Sequence, residues 1–412
     1  MIDKFYVCAG WIEGAPVIGE CFIERVRGDE IISFQYDRDW LISNPVILDP
    51  AITLRPGRQY PPKNKVFGFL EDISPDRWGR KLLDRQEMRD AALTGRKSRS
   101  LMASDYFLGV SDYGRTGGIR LMTSDGVFMN SYADVNIPPI TELRKLEHAV
   151  HSVENNDKDS DKFLKDLIDP GSSLGGARPK ANIIDTDGSL WIAKFPSKYD
   201  DYDVGAWEMT VHDLAFMCGI DVPPAKLIPL SNRGSTFLIR RFDRRDDGKR
   251  IHYASAMTML GEYDDSENRS GYLDIVSVLS RISCHFMEDS RKLYERMVFN
   301  ICVGNTDDHL RNHGFVLTDK GWRLSEAFDL NPSRYGTDMS LLVNFDDSNK
   351  SLTNALDVCG YFNYEEDDAR KYIESVQHII RNNMSSIAST YGLKRADVDY
   401  MSDAFSESYI QL

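Results

Sequence analysis

The sequence predicts an α+β fold of two lobes, and three observations carry that reading. Up to about residue 244 the chain is dominated by short segments rich in β-branched and aromatic residues, set between Gly, Asp and Pro. From Ser266 onward the apolar residues recur at helical spacing. A glycine-rich loop falls in the first half and carboxylate-bearing loops in the second, and ligands of such layered folds sit in the cleft between lobes. The domains expected are an N-terminal β subdomain with one basic helix (1–125), a strand-rich lobe holding the glycine-rich loop (126–255) and a helical C-terminal lobe (256–412).

Composition narrows the class. The 412 residues are 42% hydrophobic, enough for two or three domains with real cores. A net charge of −14 argues against tight nucleic-acid binding by the surface as a whole, while leaving room for a local basic patch or a basic partner. Cys8, Cys21, Cys218, Cys284, Cys302 and Cys359 are scattered without a CxxC pair, so neither a structural zinc site nor a disulfide framework is expected. The N-terminus lacks a signal-peptide apolar stretch, and no apolar run approaches the roughly 20 residues of a membrane span. These features predict a cytoplasmic protein without a membrane partner.

The elements follow in order. Phe5 to Cys8, Ala15 to Ile23 and Ile31 to Tyr36 read as strands. Ser74 before Pro75 reads as the N-cap and first turn of a helix that runs toward Leu93 and stops at Thr94 and Gly95. This helix and its tail are basic, with Arg77, Arg80, Lys81, Arg85, Arg89, Arg96, Lys97 and Arg99. Nucleic acid or an acidic partner would suit such a stripe, and a solvated, ion-paired face is the simpler reading. Leu101 to Leu121 reads as short strands or compact loop, and Ile140 to about Glu154 as a helix. Ile183 to Pro196 reads as a hairpin over an Asp-Gly turn, Val204 to Met217 as a helix, and Val222 to Leu230 with the segment Thr236 to Arg244 as two further strands, the second ending at Phe242. Helices are expected at Tyr272 to Ser283, Ser290 to Val303, Glu365 to about Asn383, and Lys394 to Phe405.

Three segments carry chemistry. In Gly171 to Ile184, small residues could let backbone N–H groups cradle an anion, although an ordinary glycine-rich turn fits the same residues. It is not a Walker A loop, because GxxxxGK[ST] is absent and Pro179 leads into a strand. Lys194 stands in an apolar strand, where an ammonium needs either an anion such as a nucleotide phosphate or a route to water. Glu208 on the next helix could brace it, or could lie on the surface. The third segment is Asn305-Thr306-Asp307-Asp308-His309-Leu310-Arg311-Asn312, wedged between an apolar helix and a strand, and followed by Ala327-Phe328-Asp329-Leu330-Asn331. Most Asn- and Asp-rich loops are turns. An Asp, then an Asn in the same loop, then a second Asp beyond a hairpin is nevertheless the order that phosphoryl transfer requires. One carboxylate orients the attacking hydroxyl, while an amide oxygen and another carboxylate hold Mg²⁺ on the phosphates.

With these residues in view, the chain resembles the HipA-like serine/threonine kinases, toxins of type II toxin–antitoxin modules. The resemblance rests on Phe69 to Arg80, Ser172 to Ala181, Ile192 to Pro196, Arg241 to Arg244 and Asn305 to Asn312, and it covers nearly the whole chain. It implies a protein-kinase-like fold of the phosphoinositide-3-kinase-like branch and transfer of the ATP γ-phosphate to a protein Ser. By position, the phosphate loop would be Gly175, Gly176, Ala177, Arg178, Pro179 and Lys180, with Ser173 the residue that autophosphorylates. Lys194 would meet the α/β-phosphates, with Glu208 its ion-pair brace. Arg240, Arg241 and Phe242 would form the adenine-contacting hinge. Asp307 is the implied base, His309, Leu310, Arg311 and Asn312 the nucleotide loop, Phe328 and Asp329 a further nucleotide contact, and Asn312 with Asp329 the Mg²⁺ ligands. Two positions depart from the family: Arg240 replaces an acidic residue and Arg311 a Lys, the second keeping charge but changing donor geometry.

The resemblance further implies a small helix-turn-helix antitoxin as partner, operator DNA reached through it, a translation component such as an aminoacyl-tRNA synthetase as protein substrate, and growth arrest leading to persistence. Two rivals remain: a small-molecule kinase of the aminoglycoside-phosphotransferase type, and a catalytically inactive kinase-fold co-repressor.

Overall fold

Strand-forming residues open the chain and make its first sheet. The computed structural model describes residues 4–43, 46–131, 137–157, 164, 167, 177–264 and 269–411. They form a mixed helix-and-sheet chain of the expected α+β class. The chain divides into two compact units, Met1–Lys198 with Asp243–Tyr263, and Tyr199–Phe242 with Asp264–Leu412. Among the described residues no helix is long and apolar enough to cross a membrane.

In the first unit, Lys4–Ala9, Val17–Val26, Asp29–Tyr36 and Ile119–Met122 build an antiparallel sheet with Lys4–Ala9 between Val17–Val26 and Ile119–Met122. Phe5, Val7, Phe34, Phe67, Phe69 and Phe107 fill the core on one side of it. The basic helix spans Arg77–Thr94 and ends, as expected, at Gly95 in the left-handed conformation. Its N-cap is Asp76 and not Ser74: the Asp76 carboxylate accepts from Gly79 N at 2.7 Å, whereas Ser74 Oγ donates back to Leu70 O at 2.8 Å behind the short Gly68–Asp72 helix. The basic tail is ion-paired, Arg96 to Glu87 and Arg99 to Asp105.

Leu101 to Leu121 is not all strand and loop. It contains the helix Ala103–Gly109, started by Asp105, whose carboxylate accepts from Met102 N at 2.8 Å while gripped by Arg99. The hairpin of Lys180–Ile184 and Leu190–Lys194 turns at Asp187 and Gly188, and its register sets Lys180 opposite Lys194. All five residues of Leu190–Lys194 are buried, so both faces of the strand are covered.

In the second unit, the helix Val204–Met217 accompanies the hairpin Ala225–Ser231 and Gly234–Arg240. A Cβ at Gly205 would collide with the Ser235 carbonyl oxygen, so glycine is what lets helix and strand approach. The second strand stops at Arg240, short of the expected end at Phe242. Asp243 and Arg244 belong to the first unit, where Asp243 accepts from Gly117 N at 2.6 Å and Arg244 donates to Arg115 O at 2.8 Å. The helices Tyr272–Ile282, Phe286–Val303 and Glu366–Thr390 supply a large share of this unit's core. Met297 to Val303 are buried without interruption, and the hairpin Gly314–Thr318 with Gly321–Leu324 follows.

Candidate active site

The helix Phe286–Val303 must end abruptly for the next residues to leave the core, and Gly304 does this with φ +66°. A Cβ at Gly304 would collide with the Ala404 carbonyl oxygen. Asn305 N then donates to Asn300 O at 2.9 Å, and Thr306 O accepts from both Ser340 N (3.0 Å) and Ser340 Oγ (2.9 Å). The loop so fastened presents Asp307 to solvent and drives Asp308 into the interior.

Asp308 is the anchor of the loop. Its carboxylate accepts from the Tyr272 hydroxyl, from Asn300 Nδ2 at 2.9 Å and from His313 Nε2 at 2.9 Å. Burial works to raise its pKa, but the His313 ring beside it and these hydrogen bonds outweigh burial and hold the carboxyl below the usual carboxylate range. The network runs on: Asn305 Nδ2 reaches Asn300 Oδ1 at 3.2 Å and the Asp329 backbone oxygen at 3.3 Å.

Asn312 closes the same loop. Its N donates to His309 O at 2.8 Å, and its Nδ2 donates to Asp307 O at 3.1 Å. The second bond fixes which end of the amide is nitrogen and leaves Oδ1 to serve as a hard oxygen ligand. Leu310 is buried, His309 is half-buried and Arg311 forms an ion pair with Asp264. Phe328 lies 5.4 Å from Phe242, ring to ring, and Asp329 next to it has φ +57°, a left-handed conformation unusual for a residue with a side chain. Arg241 is buried, while Arg240 is half-buried.

The second unit thus brings together Asp307, His309 to Asn312, Phe328, Asp329 and Phe242. Glu208 also lies in this unit, on Val204–Met217, and is 2% exposed, so the surface reading of it fails. Lys194 and Ala177 to Lys180 belong to the first unit. There Lys194 is 7% exposed, so little of it meets water. Lys180 opens its strand and pairs with Asp76 at 3.0 Å, and Pro179 O accepts from Phe195 N at 2.9 Å. Ser173, Gly175 and Gly176 lie outside the described residues.

Sequence reasoning missed Tyr272, Asn300, Asn305 and Asp308 as a group. One signal was present, an Asn inside the apolar run Phe299-Asn300-Ile301-Cys302-Val303, because a buried amide needs partners.

No group of three or more His, Cys, Asp and Glu side chains among the described residues could hold a metal by itself. Mg²⁺ does not require one, since it takes one or two protein oxygens and completes its shell with water and substrate phosphates. The loops suit polar company: Asn305 Oδ1, His309 Nδ1, His313 Nδ1 and Asn331 Oδ1 are buried without hydrogen-bond partners, a concentration native interiors rarely carry.

A family model described as "HipA-like C-terminal domain" matches residues 172–384. Similar proteins include Putative kinase Y4mE of Sinorhizobium fredii, 30% identical over 182 residues, which are 38% of this chain and 41% of that one. Putative kinase Y4dM of the same organism is 28% identical over 155 residues, 35% of this chain and 37% of that one. The matched segment therefore spans less than half of either relative. Among solved structures, the complex of HipA, HipB and operator DNA from the Shewanella oneidensis toxin–antitoxin system superposes with a TM-score of 0.67 at 16% identity, covering 98% of this chain and 96% of that chain. That likeness is one of fold.

Proposed function

The chain belongs to the HipA-like C-terminal domain family, and from that premise we propose that it is an ATP- and Mg²⁺-dependent protein kinase acting on Ser or Thr hydroxyls. The observation that carries this reading is the Asn312 amide: bound through Nδ2 to the Asp307 carbonyl, it keeps Oδ1 available in the loop that exposes the Asp307 carboxylate. The names of the curated relatives agree with a kinase.

In this reading Asp307 accepts a hydrogen bond from the incoming hydroxyl and takes its proton as the oxygen–phosphorus bond forms and the bond to ADP breaks. Asn312 Oδ1 and the Asp329 carboxylate would hold Mg²⁺, which when bound neutralises charge developing on the phosphates. By the family resemblance Lys194 would serve the α/β-phosphates, Glu208 would be its brace, and Gly175 to Lys180 would form the phosphate loop. Main-chain atoms of Arg240 to Phe242 would receive the adenine, with the Phe328 ring tilted against Phe242. Arg311 carries the charge of the nucleotide loop from its seat on Asp264.

Ser173 is the proposed autophosphorylation site. A phosphate there adds roughly −1.5 to −2 charge beside bound ATP and would switch the enzyme off. The Shewanella HipA is solved with HipB and operator DNA, and we carry the same kind of partnership to this chain: a helix-turn-helix antitoxin that mediates DNA contact, consistent with a net charge of −14. The target is proposed to be a protein of translation.

Incubation with γ-labelled ATP and Mg²⁺, followed by mass-spectrometric mapping, tests the reading. Phosphate on Ser173 is expected. Transfer to an aminoglycoside with none to protein would instead make the chain a small-molecule kinase.

A further inference from the structure

We infer that Asn305 is a positioning residue for the cation: its side-chain amide ties the Asp329 backbone to the buried network beneath Asp307, and so sets the Asp329 carboxylate for metal binding. This rests on the kinase reading above and adds a residue to it. Asn305 sits at the middle of the relay. Its Nδ2 donates one hydrogen toward Asp329 O (3.3 Å) and one toward Asn300 Oδ1 (3.2 Å), while Asn300 Nδ2 donates to Asp308 (2.9 Å). Asp308 is held in turn by Tyr272 and His313 and is the chain neighbour of Asp307. One continuous set of hydrogen bonds therefore joins the loop of the base to the loop of the second carboxylate.

Two further observations point to function. Asp329 has φ +57°, a left-handed conformation that Asp tolerates better than most side chains but still at some cost, and the Asn305 bond to its carbonyl oxygen holds that backbone in place. The other end of the Asn305 amide, Oδ1, is buried with no donor beside it, although Asn305 is 1% exposed. An orphaned buried acceptor costs stability, so the amide is not there for stability alone. Partners that orient a metal-binding carboxylate typically change metal affinity 10- to 100-fold when removed.

Asn305→Asp keeps size and shape but deletes both donors and sets a carboxylate oxygen against the Asp329 carbonyl. The test is calorimetric titration of a non-hydrolysable ATP analogue into the full chain across a Mg²⁺ series, with thermal melting recorded alongside. It compares parent, Asn305→Asp, Asn305→Ser and Asp329→Asn. The Mg²⁺ concentration for half-maximal enhancement of nucleotide binding should rise about tenfold or more in both Asn305 variants, with metal-free affinity unchanged. A lower melting temperature with the parent's Mg²⁺ midpoint would mean a purely structural role and would overturn the inference. If Asp329→Asn itself keeps the parent's Mg²⁺ response, the metal-ligand reading fails first. If Asn305→Asp does not fold, Asn305→Ser decides alone.

Discussion

Asp307 and Asp308 are neighbours with opposite surroundings, one exposed to solvent and the other 2% exposed among three donors. The doublet is visible in the sequence, but which member turns inward depends on how the loop folds back on Asn300 and His313 beside it and on Tyr272 from a separate helix. Asp308→Asn should therefore act on stability: it removes the buried charge facing His313 and is expected to cost about 3 kcal/mol, read as a lower urea midpoint. His252 offers a second test. It stacks on Trp11 with ring centroids 4.4 Å apart, and burial pushes its pKa down to about 3. The unfolded chain would bind that proton near pH 6.5, whereas the folded chain refuses it until about pH 3. Folding stability attributable to His252 is thus present above pH 6.5 and is lost as the pH falls. The loss is about 1 kcal/mol between pH 6 and pH 5. His252→Phe should flatten that part of the melting-temperature profile, and an unchanged slope would contradict the assignment.

At the scale of elements, local signals were legible where the chain itself decides the outcome. The helix that ends at Gly95, the Asp187-Gly188 turn and the helix Val204–Met217 all rest on short-range chemistry. The readings that failed involved choices settled by distant groups. Asp76 outcompetes Ser74 as N-cap, and its other oxygen pairs with Lys180 more than a hundred residues away. The first turn of Ala103–Gly109 is held from afar as well, since Ser104 N and Oγ both donate to Glu30 on the strand Asp29–Tyr36. Gly304 joins element to site. Gly304→Ala would require both a left-handed backbone and a displaced Ala404 carbonyl, so we expect a loss of about 3 kcal/mol in stability. Nucleotide binding should weaken in the fraction that remains folded, and a variant as stable as the parent by urea unfolding would show that the close approach is dispensable.

For the whole molecule, the α+β class and the order of the chemical segments were readable because each segment is contiguous: Lys194 in its strand, Asp307 to Asn312 in one loop, Phe328 and Asp329 in another. The frame that joins the last two was not readable, since Asn300, Asn305 and Asp308 are ordinary polar residues until burial forces them to satisfy one another. The central claim is that the exposed carboxylate of Asp307 takes the proton of a hydroxyl during transfer from Mg²⁺-bound ATP. Single-turnover phosphoryl transfer, with parent and Asp307→Asn at matched nucleotide occupancy, tests it most directly. The account predicts a fall in transfer rate of about 10²- to 10⁴-fold in the variant, with nucleotide affinity and melting temperature essentially retained. Equal transfer rates in parent and variant would contradict it.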